Sequence, residues 1–103
     1  MAFLRVGAKR AAGVARGQLQ RLGLSPAPDG KTAYVTSENI QDFSGSITAI
    51  DMETNKVIKN VQLEHYPISP VISSDGKNLY FVYGHNLKVM DLATYQIIKT
   101  ILI

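Results

Sequence analysis

Six side chains in this 103-residue sequence could do chemistry from loop positions: Glu38, Asp42, Glu64, His65, Tyr66 and His85. Imidazoles exchange protons near neutral pH, and histidines with neighbouring acids are the raw material of a metal site or a proton relay. The spacing works against both. The sequence has two histidines in all and no short His-x-His pair, which falls short of the three or four ligands a metal site needs. Glu38 and Asp42 are four residues apart, a spacing that aligns carboxylates on a helix but fixes nothing on a loop. Asp51-x-Glu53-x-Asn55 starts like a calcium loop, yet Lys56 stands where glycine is required and Gln62 where the bidentate glutamate belongs. There is no nucleophile elbow, phosphate-binding glycine loop or dinucleotide fingerprint. Cysteine is absent, which removes disulfides, thiolate zinc sites and cysteine nucleophiles together. The expectation is a chain without catalytic residues, cofactor or metal, whose six loop residues form a candidate interaction face.

The elements that hold these residues follow from an internal repeat. Asp29-Gly30-Lys31-Thr32-Ala33-Tyr34-Val35 recurs as Asp75-Gly76-Lys77-Asn78-Leu79-Tyr80-Phe81. Ile47-Thr48-Ala49-Ile50-Asp51 recurs as Leu87-Lys88-Val89-Met90-Asp91, and Val57-Ile58-Lys59 as Ile97-Ile98-Lys99. The first unit is six residues longer between its tyrosine and its aspartate. Each unit alternates apolar and polar residues with a period of two and carries Asp-Gly at a tight turn, which reads as an antiparallel meander of four strands. The opening strand of the first unit, over Gln20–Ser25, is the weakest element. Asp29, Gly30, Asp75 and Gly76 are expected to make hairpin turns, and Asp51 and Asp91 to accept backbone N–H groups where the third strand ends. Tyr34 and Tyr80 hold equivalent strand positions and are expected to pack between sheets. In a meander, alternate loops lie at opposite ends. The Ser37–Gly45 loop, the Gly84–Asn86 turn and the Glu64–Pro67 linker therefore share one end, which carries the six candidates.

The pattern Asp-Gly-Lys, Tyr34-Val35-Thr36, then Ile47-x-x-Ile50-Asp51-x-x-Thr54 and Val57-Ile58-Lys59, resembles the YVTN-type β-propeller repeat. The resemblance covers residues 24–103 and occurs twice in register. It implies an all-β fold of two four-stranded antiparallel blades, 24–66 and 67–103, forming part of a propeller. The stretch Gly84-His85-Asn86-Leu87-Lys88-Val89-Met90-Asp91 is most similar to the β chain of the quinohaemoprotein amine dehydrogenases. That likeness implies a cofactor-free subunit beside another chain's active site, in a periplasmic or extracellular setting. The alternatives are a propeller lactonase acting on sugar lactones and a surface-layer or adhesion repeat protein. One departure is Ser25-Pro26-Ala27-Pro28-Asp29-Gly30, where the family runs Ser-Pro-Asp-Gly, so two extra residues are expected to disturb the first opening strand.

Charge divides the chain differently. Residues 1–23 hold five basic residues and no acid, while residues 24–103 hold six lysines against eight acids and carry −2. The overall +3 is therefore no sign of a nucleic-acid partner, because the repeat region has no basic surplus. The 1–23 arm reads as a disordered or non-native leader by composition, with targeting or membrane contact as the other reading. It lacks the apolar core of a secretory signal, and no transmembrane segment is evident. Repeat architectures gain stability from neighbouring units, so two blades alone should leave apolar faces open, to be covered by further blades, a protein partner or self-association.

Overall fold

The computed structural model describes residues 19–103. The expectations for residues 1–18 lie outside the described residues. Eight strands follow in chain order: β1 (Leu19–Pro26), β2 (Thr32–Asn39), β3 (Gly45–Asp51), β4 (Lys56–Leu63), β5 (Ile68–Ile72), β6 (Asn78–Tyr83), β7 (Asn86–Asp91) and β8 (Gln96–Leu102). They form two antiparallel sheets ordered β1-β2-β3-β4 and β5-β6-β7-β8, and the described residues contain no helix. β1 includes Leu19 to Gly23, so the boundary drawn by charge falls inside a strand.

The repeat extends to individual hydrogen bonds. Gly30 and Gly76 sit at φ +72° and +76°, a region glycine enters without a Cβ clash. Ala27 N donates to Thr32 O (2.7 Å) and Gly30 N to Ala27 O (3.0 Å). In the second sheet Ser73 N donates to Asn78 O and Gly76 N to Ser73 O, both at 2.9 Å. The turn 27–32 is thus the same turn as 73–78. The two supposed extra residues are not an insertion in it: Ser25 and Pro26 belong to β1, and Ala27-Pro28-Asp29-Gly30 fills the place of Ser73-Ser74-Asp75-Gly76. A register shift between Arg21 and Gly23 lets the opening strand pair along its length. Even the irregularities match, since β3–β4 shifts register at Ala49/Ile50 and β7–β8 at the equivalent Val89/Met90. The six additional residues of the first unit lengthen the β2–β3 hairpin.

One difference between the turns yields a prediction. Ser73 Oγ donates to Asp75 Oδ1 (2.6 Å) and accepts from Asn78 N (3.1 Å), whereas Ala27 has no hydroxyl to do either. Ala27→Ser should raise the unfolding free energy by about 0.5–1 kcal/mol, read as a higher urea midpoint, and Ser73→Ala should lower it similarly.

The two sheets pack face to face. Tyr34, Ile47 and Ala49 of the first meet Leu79, Phe81 and Met90 of the second, with Val61, Leu63, Ile72, Tyr83, Leu92 and Tyr95 around them. Leu79 and Phe81 are 0% exposed. The inner strands approach closely: a Cβ on Gly23 would lie 2.6 Å from Pro70 Cδ. With a period of two, the alternate residues of the second sheet point away from the first. Tyr80 pairs with Val89, Val82 with Leu87, and Leu87 with Ile101 across that outward face.

Candidate functional site

Antiparallel connectivity brings the 40–44 loop, the Gly84-His85 turn and the 64–67 linker to one end of the molecule. The loop is held by its own residues. Asn39 N donates to Ser44 O (2.9 Å), Phe43 N to Asn39 O (2.7 Å) and Gln41 N to Asn39 Oδ1 (3.0 Å). Asp42 Oδ1 accepts from Ser44 Oγ (2.7 Å) and Ser44 N (3.0 Å), and these bonds, the hydroxyl first, hold its carboxyl below the usual carboxylate range. Asp42 therefore spends its acceptor on the turn. Glu38, next to the last residue of β2, lies half-buried opposite Gly45, and Glu64 is exposed at the start of the linker.

The linker crosses directly over Gly45. A Cβ there would lie 2.5 Å from His65 O and 2.6 Å from Pro67 Cδ, and would also meet Tyr66 Cα. This crossing sets His65 against the second sheet. His65 N donates to Tyr83 Oη (3.0 Å), and the two rings are 5.6 Å apart and tilted by 59°. Tyr83 also meets Phe81 edge-on at 6.1 Å, and Lys88 Nζ lies 5.5 Å from its ring centroid while donating to Thr100 Oγ1 (2.9 Å). An open pocket of about 310 Å³ is lined by His65, Tyr66, Ile68 and Gly84. His85 is exposed beside it, its carbonyl accepting from Ile103 N (2.9 Å). The structure thus brings His65, Tyr66 and the Gly84-His85 turn together and turns Asp42 into its own loop.

Two residues at this end were not singled out in the sequence. Tyr83 ties the linker to the second sheet, and its only sequence signal is a tyrosine ending a strand before a glycine turn. Phe43 is 59% exposed at φ +62°, where a non-glycine residue is strained by on the order of 1–3 kcal/mol.

The opposite end is built from turns. Asp29 Oδ1 accepts from Lys31 N (2.9 Å) and Asp75 Oδ1 from Lys77 N (3.0 Å). Asp51 Oδ1 accepts from Glu53 N (2.9 Å), and Asp91 from Ala93 N (3.3 Å) and Thr94 Oγ1 (3.1 Å). Asn55 and Tyr95 both sit at φ +60°, each N–H donating 2.7 Å to the carbonyl of Asp51 or Asp91. Tyr95 reaches the first sheet, where Lys59 Nζ lies 6.0 Å from its ring centroid. Burial first, then the neighbouring Tyr95 and Asp29, pushes the Tyr34 phenol up to about 12. Tyr34 also lines open pockets of about 400 and 370 Å³ between the turns of the two sheets. Among the described residues no three His, Cys, Asp or Glu side chains are grouped to hold a metal ion, and no helix is long and apolar enough to cross a membrane.

The Tyr34 shift gives a pH dependence with a definite sign. An unfolded tyrosine ionises near 10, whereas folded Tyr34 keeps its proton to about 12. Its stabilising contribution is complete below pH 10 and is lost as pH rises from 10 to 12. Urea midpoints measured at pH 9 and 11.5 should fall further for the wild type than for Tyr34→Phe.

No protein-family model matches the chain, and no curated protein sequence does. Solved structures do. The chain is similar to Kuenenia stuttgartiensis hydrazine synthase at 26% identity and TM-score 0.64, over 75% of this chain and 21% of that one. It is similar to the dihydro-heme d1 dehydrogenase NirN at 21% identity and TM-score 0.61, over 79% and 17%. A luciferin-regenerating enzyme matches at 19% identity and TM-score 0.54, over 81% and 30%. The chain therefore spans between about a sixth and a third of each structure. The two sheets are blades of a β-propeller. Four antiparallel strands per blade and the meander order agree with that architecture. The close passage of Gly23 past Pro70 is the meeting of the two innermost blade strands, β1 and β5. β4 and β8 are the outermost strands, and β8 is exposed at every position.

Proposed function

We propose that this chain is a non-catalytic pair of propeller blades that acts as an interaction scaffold, engaging a protein partner or further blades through the outward face of its second blade. One observation supports the reading above others. The first blade buries the face made by Tyr34, Thr36, Ile47, Ala49 and Val61 against its neighbour. The equivalent face of the second blade, Tyr80, Val82, Leu87, Val89 and Ile101, is similarly apolar, and among the described residues no other strand lies upon it, although Val89 at its centre is buried. At its margins Val71 is 60% exposed, Ile101 42% and Ile68 36%. A contiguous apolar face of this kind marks an interaction surface.

In its most specific form the proposal takes up the likeness to the amine dehydrogenase β chain: a subunit with no cofactor of its own, beside a cofactor-bearing partner. Neighbouring reading frames for a di-haem protein and a small Cys- and Trp-rich subunit would support it. Hydrolysis of a gluconolactone by the full-length protein would instead favour the lactonase alternative, and long tandem arrays the surface-repeat alternative.

The scaffold reading is tested by lengthening the chain with a second copy of residues 67–103 in continuous register. Nearest-neighbour contacts stabilise repeat proteins, so the longer chain should melt in one transition at a higher temperature. An appended blade that exchanges its amides freely, while the rest melts as before, would overturn it.

A further inference from the structure

We infer that residues 1–18 lie across the outward face of the first blade and cap it, so that the pair of blades is open on one side only. This is the side away from the docking face proposed above, and neither reading depends on the other. Six side chains of the two central strands point there: Ala33, Val35 and Ser37 of β2, and Ser46, Thr48 and Ile50 of β3. None is more than 5% exposed, although the second sheet packs on the opposite face and no described strand lies over this one. The sheet does not hide them by itself. Ile50, 1% exposed, has Ala33 and Val57 as its cross-strand neighbours, and neither stands tall enough to cover an isoleucine. The outward face of the second blade makes the contrast. There Tyr80, Val82 and Leu87 keep part of their surface in water, and Val89 is buried (4%) between the long side chains of Tyr80 and Lys99. Because the burial at Ile50 exists within a single chain, its source is the remainder of that chain, residues 1–18.

The buried area has the shape of one segment. Its flanks are open: Leu24, opposite Val35, is 50% exposed, and Gln62, opposite Ser46, is exposed as well. Two strands ~4.8 Å apart make a band about 10 Å across with their side chains, whereas a further blade would cover all four strands. From Ala33 to Ser37 the band is about 16 Å long at ~3.3 Å per residue. β1 begins at Leu19, opposite Asn39, beside the Ser37–Ser46 end of the band, so the preceding residues arrive where the cover must start. Even at the short helical rise of ~1.5 Å per residue, a segment of this length spans the band. Of residues 1–18, ten are apolar and five of these are alanine, which allows close approach to a face of small side chains. The same segment holds Arg5, Lys9, Arg10 and Arg16 and no acid, while Glu38 after Ser37 and Asp51 after Ile50 set an acid at each end of the band. A cap of this kind closes the end unit of a repeat array and leaves growth to the other end.

Limited trypsin digestion and methyl relaxation by a soluble paramagnetic agent, both on the full 103-residue chain, test the inference. Cleavage after Lys9, Arg10 and Arg16 should be at least about tenfold slower than in a peptide of residues 1–18 alone, because it must wait for local opening. The methyls of Val35 and Ile50 should be shielded. Ser46→Lys places a charge in the band, at a residue whose Oγ has no hydrogen-bond partner to lose. This variant should be cut at the rate of the peptide and should relax Ile50, with the far-UV circular dichroism unchanged. Val71→Lys, on the second blade, should change neither readout. Wild-type cleavage at the peptide rate would overturn residues 1–18 as the cover. Relaxation of Val35 and Ile50 comparable to that of Val71 would overturn the covered face. Slow cleavage in a folded Ser46→Lys chain would overturn the location, and the two wild-type measurements decide the matter if that variant does not fold. The scaffold reading has its own test in the lengthened chain and survives any of these results.

Discussion

Phe81→Ala should remove about 3–5 kcal/mol of stability, the range for emptying a large aromatic site in a packed core. Phe81 is fully buried between the blades, edge-on to Tyr83 and clustered with Leu79, Met90, Ile47 and Ala49. Few neighbours can collapse into the space, because they are strand residues fixed in register on both sides. Domains of this size hold roughly 5–15 kcal/mol in total, so the variant should be partly unfolded at 37 °C. The chain has no tryptophan, so the loss is best followed by far-UV circular dichroism in urea. A cost near 1 kcal/mol would mean that the blades are not joined through this residue. Phe81→Leu, which keeps most of the volume, should cost clearly less.

Gly45→Ala is the second large effect, expected at about 2–3 kcal/mol for one added methyl group. The obstacle is backbone: His65 O, Tyr66 Cα and the Pro67 ring all stand where the new Cβ must go. The linker has to lift, and with it the His65 N–H bond to Tyr83 Oη. The variant should therefore lose stability and also change the chemical shifts of the Tyr83 ring, a paired readout that a purely local clash would not give. At Gly23 the close neighbour is the Pro70 side chain, so Gly23→Ala should cost less than Gly45→Ala. Equal costs would indicate that the linker is more yielding than this crossing implies.

Much of the fold was legible because it is written twice. The Asp-Gly turns, the period of two and the paired tyrosines recur in register, and each local preference agrees with the same meander. The Ser25–Gly30 stretch is deceptive because Ser25 precedes a proline as in the family motif, yet it is Ala27 that occupies the place of Ser73. Once Ala27 is set against Ser73, the turn is the same length in both blades, and only a hydroxyl is missing. The candidate end was less legible. Its position follows from the alternation of loops, but the pairing of His65 with Tyr83 depends on the linker crossing Gly45, a contact between a linker and a strand about 20 residues apart in sequence that no local pattern encodes. Asp42 looked like a free carboxylate, and its commitment to Ser44 is a local turn that its neighbours could have announced. Phe43 and Tyr95 are the opposite case: nothing in their identity favours a left-handed backbone, so the surrounding hydrogen bonds impose it.

The open face of the second blade is a matter of solvent access, and the most direct measurement is relaxation of side-chain methyl groups by a soluble paramagnetic agent. The methyls of Ile47, Ala49, Leu79 and Met90, between the blades, should be shielded at every protein concentration. Those of Val71 and Ile101 should be strongly relaxed in dilute solution, and those of Val82 and Leu87 clearly more than the four between the blades. Relaxation of Ile47 or Leu79 comparable to that of Val71 would contradict the packing of these sheets as neighbouring blades, and shielding of all eight at the lowest concentration would contradict the open face.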